Sequence, residues 1–316
     1  MTGLVLVLGS AVAFGCMAVF AKEAYATGLG VTSLLEARFL LAALVFWGIV
    51  AVLRPGRPSR ATVQAGLLLG AVGYATQAGL YFGALTRIDA SLVALLLYLH
   101  PVLVVLGALA TGRETPTART WAALGAASSG GALVLLGGGI GHLDGLGVTM
   151  ACGAAAAYAT YILCTDRAAS GADPFVLSAL ITTGAAVTFG AAGLASGSLD
   201  PGAAVDALGW IVAIALVSTV AAVTLFLRGM ARVGPSTASI VSTFEPVVTV
   251  ALAMSIYGDA LTPVQLLGGA LVLSAIVVLN LRTRMPVTAV SGVADADEET
   301  GLSGPPAPSP APPVHA

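Results

Sequence analysis

Residues 80–117 read LYFGALTRIDASLVALLLYLHPVLVVLGALATGRETPT, and residues 225–262 read LFLRGMARVGPSTASIVSTFEPVVTVALAMSIYGDALT. Laid together without gaps, at a shift of 145 residues, they agree at eight of 38 positions. Leu80, Arg87, Ser91 and Pro101 meet Leu225, Arg232, Ser236 and Pro246. Val102, Val105, Ala108 and Thr117 meet Val247, Val250, Ala253 and Thr262. The Arg and Pro matches carry most weight, because Ala and Leu recur by chance in this chain. Tyr81 with Phe226, Glu114 with Asp259 and Lys22 with Arg167 add conservative matches. The chain contains an internal repeat.

The surrounding composition decides the solvent. Of 316 residues, 58% are hydrophobic and 9% charged, and the mean hydropathy is +0.98. A soluble domain carries about a quarter charged residues. Too few are present here to cover a globule, which excludes a soluble enzyme, a nucleic-acid binder or a disordered chain. The net charge of −2 offers nucleic acid no basic surface. Cys16, Cys152 and Cys164 lie in apolar runs with neither disulfide nor zinc spacing, so they read as packed small residues. Ala24-Tyr25-Ala26 looks like a cleavage site, but no Lys or Arg precedes the first apolar stretch, which reads as a retained helix.

Ten segments approach the roughly 20 apolar residues that span a bilayer as helix. They are 4–21, 33–53, 62–85, 91–111, 120–136, 146–164, 175–194, 208–227, 236–256 and 264–281. With the N-terminus inside, Arg54, Arg57, Arg60, Arg113, Arg119, Arg167, Arg228, Arg232, Arg282 and Arg284 fall on the cytoplasmic side. Only Lys22 and Arg87 fall outside, so both termini are expected in the cytoplasm. The expected fold is an all-α integral membrane protein of ten transmembrane helices in two five-helix repeats, 1–140 and 141–284. Five is odd, so the second repeat is inverted, an arrangement that places a substrate site near the midplane. Residues 285–316, rich in Pro, Ala, Ser and acids, read as a disordered cytoplasmic tail. Gly66/Gly70, Gly79/Gly83 and Gly193/Gly197 form GxxxG pairs that suit close helix packing. One lysine beside twelve arginines points to a GC-rich bacterial genome, hence to a bacterial inner membrane.

Tyr98-Leu-His-Pro-Val102 followed by Gly112-Arg-Glu-Thr115 resembles the end of a repeat of the drug/metabolite transporter superfamily, EamA type. Phe244-Glu-Pro-Val247 followed by Gly258-Asp-Ala-Leu-Thr262 is similar, as are Ala13-Phe-Gly15 through Lys22 and Ala37-Arg-Phe-Leu40. The resemblance spans about residues 4–284, with Asp259 in place of the usual Glu and no charge at positions 181–183. It implies secondary transport, often export, of amino acids, other metabolites or amphiphilic compounds.

Ionisable groups inside a bilayer need an explanation. His100 and Glu245 are related by the repeat, each directly before its proline. Pro101 and Pro246 cannot donate to the carbonyls of Leu97 and Ser242, so the helices are expected to break there, which is tolerated where the freed carbonyls line a cavity or are buried in protein, and His100 and Glu245 are expected to flank a central polar cavity. Glu245 is the candidate for proton coupling, since one carboxylate can hold a proton or a substrate cation but not both. The alternative is a neutral or Arg-paired Glu that fixes packing. His100 is either a pathway residue or an interhelical hydrogen-bonding imidazole. Arg38, two residues after Glu36, is open to a substrate carboxylate, to Glu36 through water or to snorkelling outward, and its place nearer the outer end favours a structural or gating role. Tyr74, Gln77 and Tyr81 share one helix face, and Tyr158, Tyr161 and Thr165 another. With Tyr98 and Ser242 they are candidate walls, or hydrogen bonds between helices.

No Walker motif, HExxH or GxSxG occurs, so neither ATP-driven transport within the chain nor intramembrane catalysis is indicated, and no cofactor or metal is called for. The expected function is a proton-coupled secondary transporter, an exporter of amino acids or related small metabolites. A channel-like or non-transporting membrane protein, or efflux of lipophilic drugs, remains the alternative. Expected partners are the lipid bilayer, the substrate and protons, with a homodimer open.

Overall fold

A computed structural model describes residues 2–111, 118–137, 144–168, 172–233, 238, 241–242 and 244–280, with the side chain of Pro101 and a few others inside helices left out. The expectations for Arg113, Glu114, Ser236, Arg282, Arg284 and the tail 285–316 lie outside these residues, as do those for the side chains of Arg119 and Arg167. Among the described residues every regular element is helical. The first half holds α1 (Thr2–Gly15), α2 (Met17–Ala26), α3 (Val31–Leu53), α4 (Arg60–Leu68), α5 (Ala75–Ala84), α6 (Ala90–Leu97), α7 (His100–Ala110) and α8 (Ala118–Gly137). The second holds α9 (Gly145–Ala168), α10 (Pro174–Ser196), α11 (Pro201–Asp206), α12 (Leu208–Val212), α13 (Ala222–Val233), α14 (Glu245–Tyr257) and α15 (Pro263–Asn280).

Among the described residues five runs are long and apolar enough to cross a membrane: Thr2–Ala26, Val31–Leu53, Gly145–Thr165, Pro174–Ser196 and Leu208–Val233. Their outward residues are apolar, with Leu44, Val52, Leu68, Val187 and Leu194 all more than 60% exposed. Such a surface is stable only against lipid, and it accounts for the composition.

The helices associate in antiparallel pairs. Ser33 Oγ on α3 donates to the Ser198 carbonyl just beyond α10, at 3.0 Å. The backbones of α8 and α15 meet at Gly130 and Gly268. Gly3 of α1 lies against Val233 of α13, and Gly83 of α5 against Met150 of α9. Ser91 Oγ on α6 donates to Asp259 Oδ2, just past α14, at 3.1 Å.

Two runs contain π-helical turns, at Leu69–Tyr74 between α4 and α5 and at Ala213–Ala221 between α12 and α13. Each closes on an i−5 bond, from Ala75 N to Gly70 O and from Ala222 N to Val217 O. Such turns redirect carbonyls, and threonines take two of them: Thr188 Oγ1 donates to Ala71 O and Thr219 Oγ1 to Ile214 O, both at 2.9 Å. The first turn sits where α10 comes closest, since a Cβ on Gly70 would overlap the Ile181 backbone and one on Gly184 the Leu67 carbonyl.

Several expected boundaries shift. The first run reaches Ala26 and is interrupted at Cys16, so Lys22 and Glu23 lie in its last turns. The fourth is split at Tyr98–Leu99 between α6 and α7. Of the GxxxG pairs, Gly193/Gly197 is not a helix seam: Gly197 has a φ of 64° and ends α10 in the left-handed region, with Ser198 N donating to Gly193 O.

Candidate functional site

The two proline breaks face each other, and side chains close them. Pro101 leaves the Leu97 carbonyl without a backbone donor, and the His100 ring supplies one, with Nδ1 at 3.0 Å. A carbonyl only accepts, so Nδ1 carries the hydrogen, and in a neutral ring Nε2 is left as an acceptor. Pro246 leaves the Ser242 carbonyl, which lies 3.1 Å from the Tyr98 hydroxyl of the opposite half. Both carbonyls are thus satisfied within the protein. Each is held by a side chain from the Tyr98-Leu99-His100 turn, because an unpaired carbonyl at this depth costs more than committing a neighbouring donor to it.

The same Tyr98 hydroxyl lies 3.0 Å from Glu245 Oε2. It has one hydrogen and two acceptors in front of it. With Glu245 ionised, the phenol serves either the carboxylate or the Ser242 carbonyl, and one goes short. With Glu245 protonated, the carboxyl donates to the phenol oxygen and the phenol donates to the carbonyl, so every group is paired. The two protonation states thus differ in how the break before α14 is held.

Rings continue from this point across the bundle. Tyr98 and His100 centroids are 5.6 Å apart, His100 and Tyr158 4.5 Å, and Tyr158 and Tyr161 6.1 Å. Tyr161 meets Tyr74 at 5.5 Å, and Tyr74 meets Phe39 at 5.4 Å. Tyr81 stands within the field of both Glu245 and Arg38. Glu245, His100 and Tyr158 are each half-buried. Gln77 is 8% exposed. A separate groove of about 550 Å³ lies away from these residues, between Val45, Ile49 and Val52 of α3, Phe175 of α10, and Thr224 and Arg228 of α13.

Arg38 ends in the core. It is 1% exposed, Nε donates to Thr219 Oγ1 at 3.1 Å, and its guanidinium carbon lies 4.7 Å from the Phe39 ring and 5.0 Å from the Phe82 ring. Glu36 faces α10 near Gly190 instead and makes no ion pair with Arg38. The Ser242 hydroxyl is committed within its own helix, to Ala238 O at 2.9 Å, so only its carbonyl reaches the site. Thr165 Oγ1 likewise donates to Tyr161 O, at 2.8 Å. Among the described residues no three His, Cys, Asp or Glu gather as metal ligands would.

Sequence reasoning missed Thr219, Phe39 and Phe82. A threonine in an apolar run and a phenylalanine beside an arginine carry no signal of their own, and the π turn that aims Thr219 at Arg38 follows no motif. Thr249 was missed too: its hydroxyl donates to Gly15 O at 3.0 Å and ties α14 to the end of α1 one turn from Glu245.

A search of curated proteins finds no match. One solved crystal structure superposes with a TM-score of 0.63 at 18% identity, covering 89% of this chain and 99% of its own, and indicates a shared fold alone. The model of the EamA-like transporter family matches twice, over residues 1–136 and 145–281. With both matches covering nearly all of the apolar chain, the protein is a multi-pass membrane protein that belongs to the EamA-like transporter family.

Proposed function

We propose that the protein is a proton-coupled secondary transporter that exports amino acids or related small metabolites across a bacterial inner membrane. In this reading ten spans form two inverted halves, 1–140 and 141–284, that alternate access to a site at Glu245. The antiparallel pairing supports the symmetry. Exchanging each element with its counterpart 145 residues away turns the α1–α13 contact into the α9–α5 contact and returns the α3–α10 and α8–α15 contacts to themselves. The π turns obey the same exchange, because Leu69–Tyr74 maps to 214–219, inside Ala213–Ala221. So do the helix breaks before His100 and Glu245. Charge supports the orientation. Arg54, Arg57, Arg60, Arg228 and Arg232 gather at one end with Asp173, while only Lys22 and Arg87 lie at the other, beside Glu23, Asp89, Asp144, Asp200, Asp206 and Asp259, among the described residues.

The observation that carries the coupling is the Tyr98 hydroxyl, shared between Glu245 and the Ser242 carbonyl across the two halves. Binding or loss of a proton at Glu245 redirects that hydroxyl, and a substrate amine at the carboxylate competes with the proton. The groups near Glu245 are Tyr98 from the α6–α7 turn, Tyr81 from α5 and Tyr158 from α9, and His100 packs on Tyr98 and Tyr158.

The test is counterflow of labelled L-amino acids in proteoliposomes, with and without an imposed pH gradient, for the wild type and Glu245→Gln. Saturable counterflow driven by the gradient in the wild type, and gradient-independent exchange in the variant, is the expected result. Non-saturable flux would mean a pore. Counterflow of lipophilic cations with none of amino acids would replace the substrate class. An unchanged gradient response in Glu245→Gln would remove Glu245 from the coupling.

A further inference from the structure

Arg38 is a buried cation with an unmet donor. Of its five N–H donors one is spent on Thr219 and Tyr74 stands as a further hydrogen-bond partner, while Nη2 is sealed from solvent with no acceptor among the described residues. The only ion pair among those residues, Arg87–Asp144, lies elsewhere. An uncompensated buried charge is among the costliest features a fold can keep, and the faces of Phe39 and Phe82 offset part of that cost without supplying an acceptor.

Its surroundings are as unusual as its burial. Thr219, which receives Nε, belongs to the π turn at Ala213–Ala221. Tyr74, the last residue of the π turn at Leu69–Tyr74, lies beside the same guanidinium. The positions are equivalents in the repeat, since 74 shifted by 145 is 219. One cation thus bridges the distorted turns of both halves. Position 183, the counterpart of Arg38, is a threonine whose hydroxyl donates to Ala179 O at 2.7 Å and receives the Trp47 indole at 3.0 Å, so the bridge has no twin.

We infer that Arg38 is the anion-binding half of the transport site and takes a carboxylate of the substrate. This rests on the transporter reading and narrows it: substrates must carry a carboxylate in addition to any amine held at Glu245, with Tyr81 between the two poles. A carboxylate that reaches Nη2 when the packing around this sealed guanidinium opens completes the missing pairing. It also changes the load on two π turns, one from each half, through a single group.

The experiment compares each of the twenty L-amino acids with its carboxamide, which keeps the amine and side chain and loses the anion. Binding is read by thermal unfolding of the full chain in lipid nanodiscs, for the wild type, Thr219→Val, Arg38→Lys and Arg38→Gln. At least one free acid is expected to bind the wild type ten-fold or more tightly than its amide. Thr219→Val should weaken the acid several-fold and leave the amide unchanged. Arg38→Gln should make acid and amide equal, and if that variant does not fold, Arg38→Lys, which keeps the charge and loses the fork, should narrow the ratio. Equal binding of acid and amide to the wild type, a ratio indifferent to Thr219→Val and to the foldable Arg38 variant, or no binding of any free acid would each overturn the assignment. Counterflow of acid and amide at equal rates would leave a transporter without a carboxylate site, whereas absence of all counterflow would remove the transporter reading itself.

Discussion

Tyr98 and Glu245 stand 147 residues apart in the chain and 3.0 Å apart in space, and the bond between them joins the two proline breaks. In Tyr98→Phe the Glu245 carboxyl and the Ser242 carbonyl both lose their partner. A loss of about 1–3 kcal/mol is expected, the usual range for stranding a buried polar group. Glu245→Gln keeps a donor where the protonated carboxyl had one and should unfold close to the wild-type temperature. Thermal unfolding of the two variants side by side checks the contrast; a Tyr98→Phe protein as stable as Glu245→Gln would show that the hydroxyl holds nothing.

His100 closes the other break through Nδ1 alone. His100→Ala should cost about 1–3 kcal/mol for the same reason. In His100→Asn the side-chain amide nitrogen falls near the place of Nδ1, and part of that loss should return. In His100→Gln it falls nearer Nε2, and less should return. Equal stability of the Asn and Gln variants would mean that the ring is held by packing on Tyr158, not by its bond to Leu97.

A side chain at Gly130 or Gly268 has nowhere to go. A Cβ on Gly130 would lie 2.6 Å from the Gly268 carbonyl, and one on Gly268 2.6 Å from the Gly130 carbonyl. Gly130→Ala and Gly268→Ala should each destabilise by about 1–3 kcal/mol, as overpacking does. Gly48→Ala, on a helix face with no atom near the added methyl, is the control and should be neutral. Unfolding temperatures of the three variants decide it.

At the end of the molecule away from the arginine cluster, the Gly147 amide donates to Asp144 Oδ1 at 2.8 Å, and Arg87 pairs with Oδ2 at 3.2 Å. Together they hold the Asp144 carboxyl below its ordinary range, the Gly147 amide contributing most. A depressed folded-state value means that the stabilisation is present above the unfolded carboxylate range and is lost as pH falls through the lower, folded value. Wild type and Asp144→Asn should therefore differ in unfolding temperature at pH 7 and converge in strong acid. The gap at pH 7 should be small and should shrink with added salt, as for any exposed pair. A gap that persists unchanged at low pH would exclude ionisation as its source.

The sequence made some of this readable and hid the rest for identifiable reasons. The placement of His100 and Glu245 before their prolines located the breaks, because proline has a fixed consequence for the carbonyl four residues back. What fills those carbonyls was not legible, since Tyr98 reaches Ser242 only once α6 and α14 are packed together. Burial of Arg38 could not be read from its position near the start of α3, because its depth depends on how far the side chain reaches across to Thr219. The π turns left no mark either: Gly70 and Gly184 are two glycines among many until their backbones are seen to touch. Pro and charge act locally and can be read locally. Partners from distant segments cannot.

The Gly130–Gly268 crossing has a mechanical consequence. Where peptide planes meet with no side chain between them, nothing can change rotamer to absorb a slide, so α8 and α15 form a rigid post. Compliance has to come from the runs whose hydrogen-bond ladders are already interrupted: α1–α2 at Cys16, α4–α5 and α12–α13 at their π turns, and α6–α7 at Tyr98–Leu99. Each half supplies one stave of the post and at least one jointed helix. The protein is built as a fixed mast with flexible rigging around it, and the joints are those that border Arg38 and Glu245.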